Sequence, residues 1–120
     1  MPRVMIVDNN AFARSRLKAI FEDLGWDIAG EAATGEEAVE SYRLLDPDVV
    51  TMGVAMPEMD GISAAREIKK NDPEAKVIVV SALASQKDIV EEAVEAGAAT
   101  CVPKPFSSEE IVKALKALER

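Results

Sequence analysis

The chain has 120 residues, with 14 Lys and Arg against 22 Asp and Glu, no histidine and a formal net charge of −8. That length suits one domain, 1–120, large enough for a proper core. With no basic block and no aromatic-rich basic patch, direct nucleic-acid binding is disfavoured, and the excess acid reads as a source of solubility. The lone cysteine, Cys101, has no internal disulfide partner and no histidine to activate it. It lies in an apolar-leaning run and reads as a small buried hydrophobe. No apolar run approaches membrane-spanning length, and the chain opens directly on a strand pattern without a signal peptide. A reducing, cytoplasmic location is therefore expected.

Taken in order, Arg3 to Val7 is a short apolar run ending at the polar turn Asp8-Asn9-Asn10. From Ala11 the period changes. Phe12, Leu17, Ile20, Phe21 and Leu24 are spaced for one helical face, and Gly25 closes that helix. Trp26 to Ala32 carries a shorter strand around Ile28. Thr34 and Glu37 have the spacing of a capping box, so a helix starts there with Ala38, Val39, Tyr42 and Leu45 as its inner stripe. Asp46-Pro47 stops it.

Val49 to Val54 reads as a buried strand, β-branched at Val49, Val50, Thr51 and Val54. A run apolar on both faces belongs in the middle of a parallel sheet. The turn after it holds Pro57, Asp60 and Gly61; Asp60 is expected to shape that turn, and Met52, Met56 and Met59 to pack core and turn. Ile62, Ala65 and Ile68 mark a third helix ending by Asp72-Pro73. Lys76 to Val80 is the next strand, with Ser81-Ala82 at its end. Ile89, Val90, Ala93 and Val94 stripe a fourth helix closed by Gly97. Ala99 to Val102 is the fifth strand, followed by Pro103-Lys104-Pro105-Phe106. Ser107 and Glu110 offer a second capping box, and Ile111, Val112, Leu115 and Leu118 face inward from the last helix.

Strand and helix thus alternate five times, with no solenoid repeat, linker or low-complexity tail. Right-handed crossovers make such a chain a doubly wound α/β sandwich with a parallel sheet. Ligands and chemistry in such sheets sit at the carboxyl ends of the strands. Converging there are Asp8 and Asn9, Gly53, Ser81 and Lys104. Gly53 is the odd member, because glycine packs nothing in a strand and loses much entropy on folding.

Val7-Asp8, Met56-Pro57-Glu58-Met59-Asp60-Gly61, Ser81-Ala82 and Lys104-Pro105-Phe106 together are specific, and along its whole length the chain resembles the receiver domains of bacterial response regulators. Within that family it is similar to the stand-alone chemotaxis regulators called CheY. The resemblance implies a flavodoxin-like fold, a five-stranded parallel sheet in the order 2-1-3-4-5. It also implies a site where an acidic pair after the first strand and an aspartate ending the third hold Mg²⁺. That third-strand aspartate accepts a phosphoryl group, and a hydroxyl and a lysine contact the phosphoryl oxygens.

Carried over residue by residue, the match is incomplete. Asp8 keeps the first acid, but Asn9 replaces the second. Gly53 stands at the acceptor position and cannot form an acyl phosphate. The carbonyl that would assist the metal falls at Ala55. Ser81 matches the hydroxyl and Lys104 the lysine, with Lys104-Pro105 at the family's cis peptide. Cys101 replaces the aromatic switch residue and is too small to repeat its swing. Asp8, Asn9, Gly53, Ser81 and Lys104 are thus expected to form a vestigial pocket with no catalytic residue. Lys104 is the expected partner of Asp8. Ser81 with Lys104 could bind an anion, and a plain strand-ending serine is the equal alternative. One matching carboxylate is too few for a convincing Mg²⁺ site, so no cofactor and weak or absent Mg²⁺ binding are expected.

The function expected from the resemblance is a pseudo-receiver: a two-component or chemotaxis-type module that acts by protein contact without phosphorylation. Its partner face would be the fourth helix, fifth strand and fifth helix, with Lys87, Glu91, Glu95, Cys101 and Lys113. Partners implied are a histidine kinase, a chemotaxis or motility component, or a second copy of the chain. The alternative is an engineered or naturally disabled variant of a true phospho-acceptor. A flavin binder on the same fold ranks last, because Asp8 to Phe12 is not a hydroxyl- and glycine-rich phosphate loop.

Overall fold

In the computed structural model, which describes residues 2–118, the strands are β1 (Arg3–Val7), β2 (Asp27–Ala32), β3 (Val49–Met52), β4 (Val77–Ser81) and β5 (Thr100–Pro103). The helices are α1 (Ala11–Asp23), α2 (Gly35–Leu45), α3 (Gly61–Asn71), α4 (Lys87–Glu95) and α5 (Ser108–Ala117). All strand pairings are parallel, and the sheet order is β2-β1-β3-β4-β5. This is the expected doubly wound sandwich.

Strand alternation divides the core between the two faces. Met5, Val7, Val50, Met52 and Val77 point toward α2 and α3, packing with Ala38, Tyr42, Ala64, Ala65 and Ile68. Val4, Ile6, Val49, Ile78 and Val80 point the other way, onto Leu17 and Phe21 of α1 and Ile111 and Ala114 of α5. A third group under α4 joins Val54, Ile62, Val79 and Ala93. The methionines behave as expected: Met52 is fully buried, and Met56 and Met59 pack against the core.

Several boundaries differ from the sequence reading. β3 ends at Met52, two residues early, because the backbone leaves the sheet at Gly53 to begin the turn. Val54 stays buried nevertheless. β4 and β5 each start and end one residue later than expected, and a short 3₁₀ helix, Ala82–Ser85, precedes α4. At α2, Thr34 accepts from the Glu37 N–H, but Glu37 Oε1 accepts from Ala33 N, so the reciprocal bond falls one residue outside the cap. The box at Ser107 and Glu110 is complete.

Three expected core residues are outside. Phe12 is 73% exposed, Val94 55% and Leu24 41%. Phe12 sits in the first turn of α1, and its spacing of five from Leu17 is off the helical repeat. Phe21, about half a turn round the helix from Phe12, is fully buried and meets Trp26 edge to face at 5.2 Å. Truncating Phe21→Ala should cost about 3–5 kcal/mol of stability in urea unfolding. Phe12→Ala should change it by no more than about 0.5 kcal/mol.

Between α2 and α3 the Tyr42 hydroxyl donates to Asp72 Oδ2 at 2.7 Å. Burial, then the hydrogen bond and charge of Asp72, push the Tyr42 phenol well above its ordinary value of 10.0. The folded chain therefore keeps a proton that the unfolded chain gives up above that pH. Stability from this group is intact below pH 10.0 and falls as pH rises further. Urea midpoints of Tyr42→Phe should lack this part of the alkaline decline.

Candidate functional site

At the carboxyl edge, β1 and β5 each lead into one charged residue, and the two residues meet in a single contact. Asp8 follows β1 directly and is only 2% exposed. Its backbone N–H still bonds β2, to Ala32 O at 3.0 Å, so the side chain leaves from a fixed point. Asp8 Oδ1 accepts from Asn10 N at 2.9 Å. Asp8 Oδ2 accepts from Lys104 Nζ at 2.6 Å. Lys104 follows β5, and its own N–H bonds Ser81 O at 3.1 Å. The Lys104–Pro105 peptide is cis.

Gly53 lies beside this pair. Its N–H donates to Val7 O at 2.9 Å, continuing the β1–β3 ladder one step past the strand. A Cβ built there would stand 3.1 Å from Asp8 Oδ2, tighter than an ordinary van der Waals contact. The Gly53 carbonyl, in turn, lies directly against the α-carbon of Gly61, where a Cβ would collide with it. Gly61 N–H donates back to Val54 O at 2.9 Å, closing the turn between β3 and α3. Asp60 caps α3, accepting from Ser63 N at 2.8 Å, so it serves the turn.

The remaining pocket residues are placed as follows. Asn9 and Ala55 are exposed. Ser81 is 6% exposed, and its Oγ accepts from Leu83 N at 3.1 Å to start the 3₁₀ helix. Lys104 Nζ is turned to Asp8, while Ser81 Oγ is turned to Leu83 N. Among the described residues, no group of three or more His, Cys, Asp or Glu is placed to hold a metal ion.

On the other surface, Lys87, Glu91 and Glu95 are exposed along α4 and Lys113 along α5. Cys101 is half-buried, packed on the cluster under α4, and burial pushes its thiol pKa up. Cys101 and Lys113 line one groove of about 310 Å³ between β5 and α5, together with Thr100, Pro103, Glu110 and Ala114. Lys87, Glu91 and Glu95 lie outside that groove.

Two contributors were not legible in the sequence. Arg14, one turn into α1, donates to the Asp8 carbonyl and pairs with Glu31 at 3.2 Å. Arg16 lies 5.0 Å from the Phe106 ring centroid and donates to the Phe106 carbonyl at 3.4 Å. Their spacing of four and six residues from Asn10 marks them as α1 residues, and nothing in it indicates which loop they reach.

The comparisons with known proteins agree on one family. A family model described as the response regulator receiver domain matches residues 4–116. The chemotaxis protein CheY of Thermotoga maritima is 49% identical over 118 residues, covering 98% of this chain and 98% of that protein. The chemotaxis protein CheY of Bacillus subtilis is 42% identical over 113 residues, covering 94% of this chain and 93% of that protein. Among solved structures, the CheX–CheY–BeF₃–Mg²⁺ complex from Borrelia burgdorferi matches with a TM-score of 0.94 at 34% identity, over 99% of this chain and 90% of that chain.

The approach of Gly61 to the Gly53 carbonyl leaves no room for a methyl group. Gly61→Ala should therefore destabilise the fold by about 1–3 kcal/mol, because the turn must open to admit it. Urea unfolding against the unsubstituted chain measures this directly.

Proposed function

We propose that this chain, which belongs to the response regulator receiver family, is a pseudo-receiver that signals by protein contact and takes no phosphoryl group at position 53. It is a CheY-like receiver of the two-component and chemotaxis type rather than a classical enzyme. The observation that carries the finer reading is Gly53: the residue that follows the third strand has no side-chain oxygen to accept a phosphoryl group.

The residues around it support the same reading. Asp8 is the one carboxylate at the matching positions, and both its oxygens are already engaged, by Asn10 N and Lys104 Nζ. A hard divalent cation takes about six oxygen ligands and keeps a carboxylate or two among them. Asp8, exposed Asn9 and the Ala55 carbonyl do not fit a resident Mg²⁺, which the solved CheX–CheY–BeF₃–Mg²⁺ complex contains. The chain therefore needs no cofactor.

The single module, 1–120, works in the cytoplasm. None of the helices among the described residues is long and apolar enough to cross a membrane. Its partner is a protein: a histidine kinase, a chemotaxis or motility component, or a second copy of itself. The contact surface is α4, β5 and α5, where Lys87, Glu91, Glu95 and Lys113 supply exposed charge around half-buried Cys101. That Borrelia CheY is seen in complex with the protein CheX supports binding through protein contact.

The retention of Asp8, Ser81 and Lys104 favours a second reading, a disabled variant of a phospho-accepting parent. Intact mass after incubation with Mg²⁺ and acetyl phosphate tests both. The chain as it stands should show no adduct; an acid-labile phosphoryl adduct would overturn the pseudo-receiver reading. Gly53→Asp should remain unlabelled if the pocket is adapted to glycine, and should gain Mg²⁺-dependent label if only the acceptor is missing. Millimolar Mg²⁺ should leave the melting temperature of the unsubstituted chain unchanged, since a ligand that does not bind the native state cannot stabilise it.

A further inference from the structure

Strand order sets an unusual demand on the contact between Lys104 and Asp8. β3 and β4 lie between β1 and β5. A side chain starting beyond β5 and ending at Asp8 must pass over the carboxyl ends of both inner strands, at Ser81 and Gly53. Lys104 is anchored at its start by its N–H bond to Ser81 O. Its ammonium arrives 2.6 Å from Asp8 Oδ2, the same oxygen that a Cβ on Gly53 would crowd at 3.1 Å.

The electrostatics give this contact a task. The Asp8 side chain is 3% exposed, and a buried carboxylate without a counter-charge is strongly destabilising. With no group of three metal-ligating side chains placed among the described residues, the neutralising charge is the lysine's. We propose that Lys104 and Asp8 form a strap across the carboxyl edge, with the ammonium standing in for a divalent cation, and that Gly53 is the residue that lets the strap close.

A second tie lies alongside. Arg16 of α1 covers the Phe106 ring and donates to its carbonyl, so the segment after β5 is held to the start of α1 at two neighbouring points. Phe106 itself is buried in the core shared by α1 and α5. The strap therefore fixes the β5–α5 loop, and with it one border of the groove beside Cys101, without a metal.

A substitution cycle tests the coupling. Gly53→Ala should lower the urea midpoint in the native background, where the new methyl presses on Asp8 Oδ2. In an Asp8→Ala background it should raise the midpoint, because alanine then loses less backbone entropy than glycine and meets no carboxylate. An effect of the same sign and size in both backgrounds would overturn the role given to Gly53. Lys104→Met should lower the folding equilibrium constant about tenfold or more, allowing for the part-exposed lysine. Adding Asp8→Asn to that variant should recover most of the loss, since no unpaired charge then remains.

The unsubstituted protein gives an independent readout. The Lys104 ammonium should be visible by nitrogen-15 NMR as a slowly exchanging group, unchanged by millimolar Mg²⁺. Release of that signal by Mg²⁺ would overturn the strap. The two proposals fail separately: an acetyl phosphate adduct counts against the pseudo-receiver and leaves the strap standing. An additive cycle removes the strap's dependence on Gly53 and leaves the pseudo-receiver reading untouched.

Discussion

Five parallel strands sharing one sheet cannot be linked by hairpins, and that constraint shapes everything else in this protein. Each strand must be followed by a crossover, each crossover carries a helix, and the helices must cover both faces. All carboxyl ends then fall along one edge. Residues 8, 53, 81 and 104, scattered through the chain, become neighbours for that reason alone. The edge is also where backbone leaves the ladder, so its polar groups must find partners from turns. Asn10, Ser81, Asp60 and Gly61 each meet that need with local hydrogen bonds.

Charge at this edge is handled differently from charge on the rest of the surface. The acidic excess lies largely on exposed helix faces, where Glu36, Glu37, Glu91, Glu92 and Glu95 are solvated. Water and salt weaken their mutual repulsion. Asp8 has no such relief, being almost wholly buried. Two carboxylates near it would repel each other and raise the cost of ionising either. Asparagine at position 9 and glycine at position 53 remove that repulsion, and a single lysine suffices. On the pseudo-receiver reading, Asn9, Gly53 and the Lys104–Asp8 pair are thus one electrostatic arrangement.

The alternation of strands and helices, most inward helix stripes and most helix ends were legible in the sequence, because they depend on short-range periodicity and on caps, whereas the strand order came through the family resemblance. Val77 to Val80 is buried on both faces and reads so. Failures came where a local pattern met tertiary geometry. Phe12 looked like core, but in the first turn of α1 it is Ala13 that is buried, and Phe12 lies on the exposed side. Thr34 and Glu37 had the spacing of a capping box, yet the glutamate reached one residue further back, a choice that spacing does not encode. The pairing of Lys104 with Asp8 spans 96 residues and was reachable only through the family resemblance. The tight contact of Gly61 on Gly53 left no signal beyond two glycines, each explicable by a turn.

A switch needs two arrangements whose balance a signal can tilt, and a signal tilts it only by as much as it prefers one of them. In this chain the edge offers such a signal little to act on. Its carboxylate is already neutralised, and position 53 carries no side chain to modify. At the far end of β5, Cys101 is packed against the cluster under α4, too short to exchange a buried for an exposed site over several ångströms. On the pseudo-receiver reading, differential binding must then arise on the outer surface of α4, β5 and α5, where a partner can prefer one setting of the groove between β5 and α5. Regulation would pass from the chemistry of the edge to the partner's own concentration and affinity. The architecture of the sheet would serve to hold that surface in place.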